Sequence, residues 1–239
     1  MRAATVCGHR LVVSDVMANW DAIAGFSPWE KERIDSILAT LQSGDVLYDI
    51  GAEHGWMTAI FAQRVGGENM VLVEPSPDFW PSIRQTFEWN KLNPPLACFE
   101  GFAGAQTVLH REWTPADWPE SSEGDECRER MPYRHPNDHS ELISTISIDD
   151  LAKVVGPPKG ITIDVEGAEM LVLQGAENTL QVQRPYVWCS VHPDLMKKDF
   201  DADEDLLHRF MQDRGYDGRL LRHDHEYHWS YWPSEVDPL

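Results

Sequence analysis

The chain has 239 residues, and 20 Lys and Arg stand against 40 Asp and Glu, a formal net charge of −20 at pH 7. That length can bury one large core with appended segments, while so acidic a surface repels phosphate backbones and anionic headgroups, which argues against nucleic acid and membranes as partners. Cys7, Cys98, Cys127 and Cys189 form no CxxC pair, and no apolar run is long enough for a signal or a membrane span, so a reducing cytoplasm is the expected setting.

In chain order, residues 1–43 read as an N-terminal segment with a lead-in helix, and 44–239 as the main domain with an insertion at about 111–140. The opening stretch offers only the short apolar run Leu11–Val13. Ser27-Pro-Trp-Glu30 then predicts a helix start, with Ser27 as N-cap, Pro28 at the first helical position and Glu30 closing a capping box. Ile34, Ile37, Leu38 and Leu41 are its apolar stripe, and Gly44 its stop.

The stretch from Val46 to Thr58 reads as a buried strand, a glycine turn and a helix. Asp49 is the lone acid at the strand's carboxyl end. Gly51 and Gly55 let backbone approach a ligand closely, and Thr58 lies in the helix start, whose apolar residues Met57, Ile60, Phe61 and Val65 follow helical spacing. Free amides at such a turn suit a nucleotide-like ligand. A second strand, Asn69 to Val73, ends in Glu74, and a helix is predicted from about Pro77 to Lys91. An acid roughly 20 residues past the glycine turn can accept both hydrogen bonds from a ribose diol. No third close glycine or lysine is there to bind phosphate, so the spacing favours S-adenosylmethionine over NAD or ATP. A third strand, Leu96 to Phe99, leads to Phe102 and Ala103, which flank an adenine ring or pack as core.

Between about Glu112 and Ser140, Pro115, Pro119, Pro132 and Pro136 interrupt a charged, aperiodic stretch that reads as a lid or a disordered insertion. Ser144, Ile146 and Ile148 resume a strand, and Asp149 starts a short helix. Next comes the strand Ile161–Val165, carrying Asp164 at its end, with Glu166 and Gly167 turning into a helix that buries Met170, Leu171, Leu173 and Ala176. Asp164 and Glu166 can serve as base, as metal ligands or as clamps for a sulfonium; structurally, Glu166 could cap the helix and Asp164 orient the turn. Tyr186 to Val191 is an apolar strand ending in His192, which either takes a proton from an attacking hydroxyl or is a hydrogen-bonded structural histidine. A helix follows from Asp203 to Arg214 with the stripe Leu206, Leu207, Phe210 and Met211. In the tail, His223 and His225 share one strand face and Asp224, Glu226 and His228 the other. Either set could reach a divalent metal, but no spacing fixes one, so no metal site is assigned. Trp229, Tyr231 and Trp232 pack at a sheet edge or line an acceptor pocket.

These motifs resemble the FkbM family of S-adenosylmethionine-dependent methyltransferases. The resemblance rests on Asp49–Thr58, Glu74-Pro75, Ser147–Leu151, Ile163–Glu169 with Val172–Ala176, and Arg184-Pro185, and it spans roughly residues 44 to 195. It implies an α/β fold with a doubly wound, mostly parallel sheet in three layers, the Rossmann-like class I methyltransferase fold, and O-methylation of a hydroxyl on a sugar or natural product. It also implies a cofactor seated by Asp49, Gly51, Gly55, Thr58 and Glu74. Glu53 stands where the family commonly has asparagine, placing an extra charge near the cofactor's amino-acid end. The expected catalytic residues are Asp164, His192 and Glu166, acting on a small-molecule or saccharide acceptor. The other readings are a nicotinamide-dependent oxidoreductase, which lacks its G-x-G-x-x-G here, and a catalytically silent cofactor- or carbohydrate-binding protein.

Overall fold

The computed structural model describes residues 1–14, 30–115, 118–119 and 143–236. Ser27, Pro28 and Trp29, Cys127 and most of the insertion lie outside them. The chain opens with a hairpin, β1 (Arg2–Val6) and β2 (His9–Val13), which its short apolar run did not announce. Helix α1 (Lys31–Thr40) leads into β3 (Leu47–Ile50), α2 (Trp56–Val65), β4 (Met70–Glu74), α3 (Trp80–Trp89) and β5 (Ala97–Glu100). Two short strands, β6 (Phe102–Ala103) and β7 (Thr145–Ile146), pair with each other beside the main sheet. Then come α4 (Ile148–Val155), β8 (Gly160–Ile163), α5 (Glu169–Gln174), β9 (Tyr186–Val191), α6 (Pro193–Phe200), α7 (Glu204–Asp213), β10 (Tyr216–His223) and β11 (Tyr227–Pro233).

The main sheet has seven strands in the order β10-β11-β9-β8-β3-β4-β5. The strands β5, β4, β3, β8 and β9 run parallel, and β11 enters antiparallel to β9. Parallel strands are covered on both faces, which is why their sequences are apolar throughout rather than alternating. Tyr48, Ile50, Val71, Val73, Ile161 and Ile163 face one core, against Leu151, Met170, Val172, Leu207 and Met211 of the helices α4, α5 and α7. Leu47, Met70, Leu72 and Trp188 face the other, against Ile34, Ile37, Ile60, Trp80 and Ile83 of α1, α2 and α3 and against the β1–β2 hairpin. The result is a doubly wound three-layer sandwich.

Several elements differ locally from the sequence reading. Helix α1 starts at Lys31, and Glu30 makes no side-chain cap bond; its carboxylate turns to Arg33 at 2.9 Å instead. Ile148 opens α4 rather than continuing a strand, because the Ser147 hydroxyl accepts the amide of Asp150 at 3.1 Å as an N-cap. Val172, rather than Leu171, joins Met170 and Leu173 on α5's buried face. The histidine-rich tail forms a hairpin whose second strand lies inside the sheet, so of its two strands β10 alone is at an edge. Cys98 and Cys189 are buried, as small core residues are.

Candidate active site

From β3 the chain proceeds outward through β4 to β5, then returns to β8 on the other side of β3 and continues to β9. The strand order therefore reverses between β3 and β8. At such a switch point the loops leave in opposite directions, and a crevice opens outside the carboxyl ends of the strands. Asp49, Glu74, Asp164 and His192 all lie at this end of the sheet, on or just past β3, β4, β8 and β9.

The glycine turn is set by backbone. Gly51 has φ +90°, and a Cβ there would lie 1.9 Å from the carbonyl oxygen of Asp164. Gly55, φ +77°, caps α2 in the left-handed region, and a Cβ would lie 2.9 Å from the Cα of Ile83 on α3. The space a side chain would need at either glycine is taken by protein, β8 for Gly51 and α3 for Gly55. Thr58 is reassigned: it is fully buried, and its hydroxyl donates to Asp49 Oδ2 at 2.5 Å. It holds Asp49, whose carboxyl burial pushes up to about 6. Glu53 has φ +45°, a conformation asparagine adopts more readily than glutamate. Its side chain points to solvent, and its amide rather than its carboxylate does the structural work.

That amide donates to Glu74 Oε2 at 2.9 Å, and the amide of Ser76 donates to Oε1 at 2.8 Å. Two amides thus fix the carboxylate and leave each oxygen a further lone pair. Burial outweighs both hydrogen bonds and raises Glu74 to about 7. Phe102 is half-buried at the start of β6, whereas Ala103 packs in the core with Ile146, so of the two only Phe102 can present a face to a ligand.

On the β8–β9 side stands a charge cluster that sequence reading recognised only in part. Arg33, on α1 and 1% exposed, donates to Ser190 Oγ at 2.6 Å and Asp164 Oδ2 at 3.1 Å, and pairs with Glu30 at 2.9 Å. His192 is bonded on both sides: Nδ1 to Glu169 Oε1 at 2.7 Å and Nε2 to Glu226 Oε2 at 2.7 Å. Glu166 lies 3.5 Å and Asp164 3.8 Å from the same Nε2. Burial alone would lower the imidazole's pKa, but the two hydrogen-bonded glutamates and Asp164 prevail and raise it to about 11. With both ring nitrogens engaged by glutamates and the pKa raised, the arrangement favours His192 as a cation over His192 as the base. Asp164 moves the other way from a free carboxylate: burial raises it well above the ordinary range, further than Arg33 pulls it down. Five carboxylates (Glu30, Asp164, Glu166, Glu169 and Glu226) thus surround two cations, Arg33 and His192.

Arg33, Glu169 and Ser190 were not singled out as site residues from sequence, and Glu226 was weighed only as a possible metal ligand. Arg33 left a trace, since it shares a helix face with Ile34, Ile37 and Leu41, where a charge must be paired to be buried.

A match to the methyltransferase FkbM domain covers residues 49–217, most of the chain. The chain belongs to the FkbM methyltransferase family. The hexuronic acid methyltransferase AglP of Haloferax volcanii is 27% identical over 178 residues, 71% of this chain and 65% of AglP, so the chain spans just under two thirds of that relative. The crystal structure of an FkbM methyltransferase from Methylobacillus flagellatus superposes with a TM-score of 0.55 at 18% identity, covering 80% of this chain and 44% of that one. A precorrin-6y C5,15-methyltransferase from Geobacter metallireducens gives 0.50 at 14% identity, covering 94% and 93%. At these identities the two structures speak for the fold, the class I methyltransferase fold. Among the described residues no helix is long and apolar enough to cross a membrane.

Proposed function

We propose that this FkbM protein transfers a methyl group from S-adenosylmethionine to a hydroxyl of a saccharide or similar small acceptor. The observation that carries the reading is the pair of acids flanking the switch point: Glu74, fixed by two amides at the tip of β4, and Asp164 just past β8. Glu74 accepts the ribose diol, and Phe102 offers a face to the adenine. The excess of carboxylates over cations beside Asp164 suits a sulfonium, whose positive charge it attracts. When bound, the sulfonium supplies an already activated methyl group, so the protein needs mainly to align the acceptor and take one proton.

Asp164 takes that proton. Its raised pKa brings it nearer the operating pH, where a general base is most effective. His192 remains protonated and, with Arg33, holds the carboxylate array in place; Glu166, partly exposed and 3.5 Å from His192 Nε2, is left open to contact the acceptor. The net charge of −20 argues against a polyanionic acceptor such as a nucleic acid. The name of the AglP relative supports a sugar-derived one, a hexuronic acid being the first to try.

The test is transfer of label from methyl-labelled S-adenosylmethionine to hexuronic acids and their glycosides, with titration of S-adenosylhomocysteine beside it. Labelled ether that survives mild alkali is expected. Label lost in alkali would place the methyl on a carboxylate and overturn the hydroxyl assignment, and absence of cofactor binding would overturn the reading as a whole. Asp164→Asn is expected to lower kcat by about 10²- to 10⁴-fold while leaving S-adenosylhomocysteine affinity within a few-fold; an unchanged rate removes Asp164 from the mechanism.

A further inference from the structure

Behind the charge cluster, the β10–β11 hairpin folds its turn residues against the start of α1. His228 is fully buried on β11, and its Nδ1 lies 3.1 Å from Ser190 Oγ. Its other nitrogen, Nε2, has no hydrogen-bond partner among the described residues. A buried polar atom left in this state loses its hydration without compensation, and such atoms call for an explanation. Nε2 faces two carboxylate oxygens, Glu226 Oε1 and Asp224 Oδ1, each at 3.6 Å. Both distances are too long for a hydrogen bond. Glu30 brings a third carboxylate: one oxygen each of Glu30 and Glu226 and a nitrogen of His228 all lie within 4.8 Å of one another, and all three residues are buried.

We propose that His228, Glu226 and Asp224, with Glu30, form a binding site for a divalent transition-metal ion of the zinc type. The spacing is that of ligands around an ion. With metal–nitrogen and metal–oxygen bonds of about 2.0–2.2 Å, neighbouring corners of a tetrahedron lie about 3.3–3.6 Å apart. An ion between Nε2 and the two oxygens would take the place of the His225 ring, which lies 3.0 Å from Asp224 Oδ1 and 3.4 Å from Glu226 Oε1. One imidazole and several carboxylates suit zinc or manganese better than the all-oxygen sets that calcium and magnesium prefer.

The surroundings have the outer contacts that orient metal ligands. Ser190 engages His228 Nδ1, as a second partner does for a metal-bound imidazole. Arg222 holds the remaining oxygen of Asp224 at 3.1 Å and reaches Glu32 of α1 at 3.0 Å. Glu226 uses its other oxygen, Oε2, on His192 at 2.7 Å. An ion here would therefore clamp the hairpin to α1 and fix the glutamate that grips His192. The site is a positioning device and not a Lewis acid for the acceptor.

Chelator-treated protein, checked for fold by circular dichroism, is titrated with zinc alone by calorimetry and its metal content measured by mass spectrometry. One zinc per chain is expected. His228→Gln and Asp224→Asn should each weaken it at least about tenfold, and Glu166→Gln, outside the set, should leave it unchanged. Asp224→Asn preserves shape at a half-buried position, so it keeps the test sound should His228→Gln misfold. Folded protein that takes up no zinc overturns the proposal. So does zinc whose affinity ignores both substitutions, or that falls with Glu166→Gln, because the ion then sits elsewhere. None of these readouts involves methyl transfer, so the site and the catalytic reading stand or fall separately.

Discussion

Glu74 offers a proton-linked test of cofactor binding. Its carboxyl is raised from 4.5 to about 7 chiefly by burial, against the pull of the two amides. A ribose diol donates its hydrogen bonds to the ionised form, so at a pH below that value binding must first expel a proton. About one unit below, the apparent affinity is reduced about tenfold, or ~1.4 kcal/mol; one unit above, the penalty has nearly vanished. Titration calorimetry with S-adenosylhomocysteine, which lacks the sulfonium charge, should show affinity rising with pH through about 7. Repeating it in buffers of different ionisation heat should show close to one proton released on the acid side. Asp49, held at about 6, contributes a separate step, so the control is Glu74→Gln. That variant should lose the step near 7 and bind more weakly by about 1–3 kcal/mol. Affinity that is flat across this range, or a step that persists in Glu74→Gln, would refute the placement of the ribose. In the unliganded protein the sign is opposite. The folded chain holds this proton more tightly than the unfolded one, so the group's contribution to stability falls as pH rises from 4.5 through about 7.

Two further outcomes concern the frame of the site. Gly51→Ala must push a Cβ into the Asp164 carbonyl, 1.9 Å away, and should lose more than about 3 kcal/mol in urea denaturation. Gly156→Ala has a similar φ of +93° but open space around it, and should lose only about 1–2 kcal/mol from the left-handed backbone; equal losses would mean that the strand contact is not what requires Gly51. Arg33→Met leaves the buried Glu30 and the half-buried Asp164 without their cation and should destabilise by about 2–4 kcal/mol near neutral pH. The loss should shrink in acid, where the two carboxylates take up protons, and a deficit independent of pH would argue against uncompensated charge as its cause.

What the sequence disclosed follows from how local each signal is. Buried parallel strands announce themselves as apolar runs, and the acids at their tips are adjacent in sequence to those runs, so Asp49, Glu74 and Asp164 were legible together with the α/β alternation. The partners of those acids were not. Arg33 meets Asp164 131 residues away and Ser190 157 residues away, and Arg222 meets Glu32 across 190. Periodicity reports which face of a helix is buried, not what lies opposite. The His223–His228 stretch was read in part. Treated as one strand it groups Asp224, Glu226 and His228 on one face, and these three do meet, although the chain turns there and His223 pairs across to Tyr227. What alternation could not supply is Glu30, which comes to them from the start of α1.

The glycine motif shows why a correct resemblance can rest on an incomplete physical reason. Gly51 and Gly55 were expected to yield space to a ligand, yet each is demanded by a protein neighbour, β8 for one and α3 for the other. The two contacts draw the β3–β8 gap and the start of α2 into register, and that register presents the amide of Glu53 to Glu74. The glycines therefore act on the ligand through the acid they help to fix. Their substitution should appear first as lost stability and only then as lost binding, whereas Glu74→Gln should weaken binding in a protein that remains folded. A Gly55→Ala protein of undiminished stability that nonetheless fails to bind S-adenosylhomocysteine would reverse that order and restore direct ligand contact as the reason for the glycine.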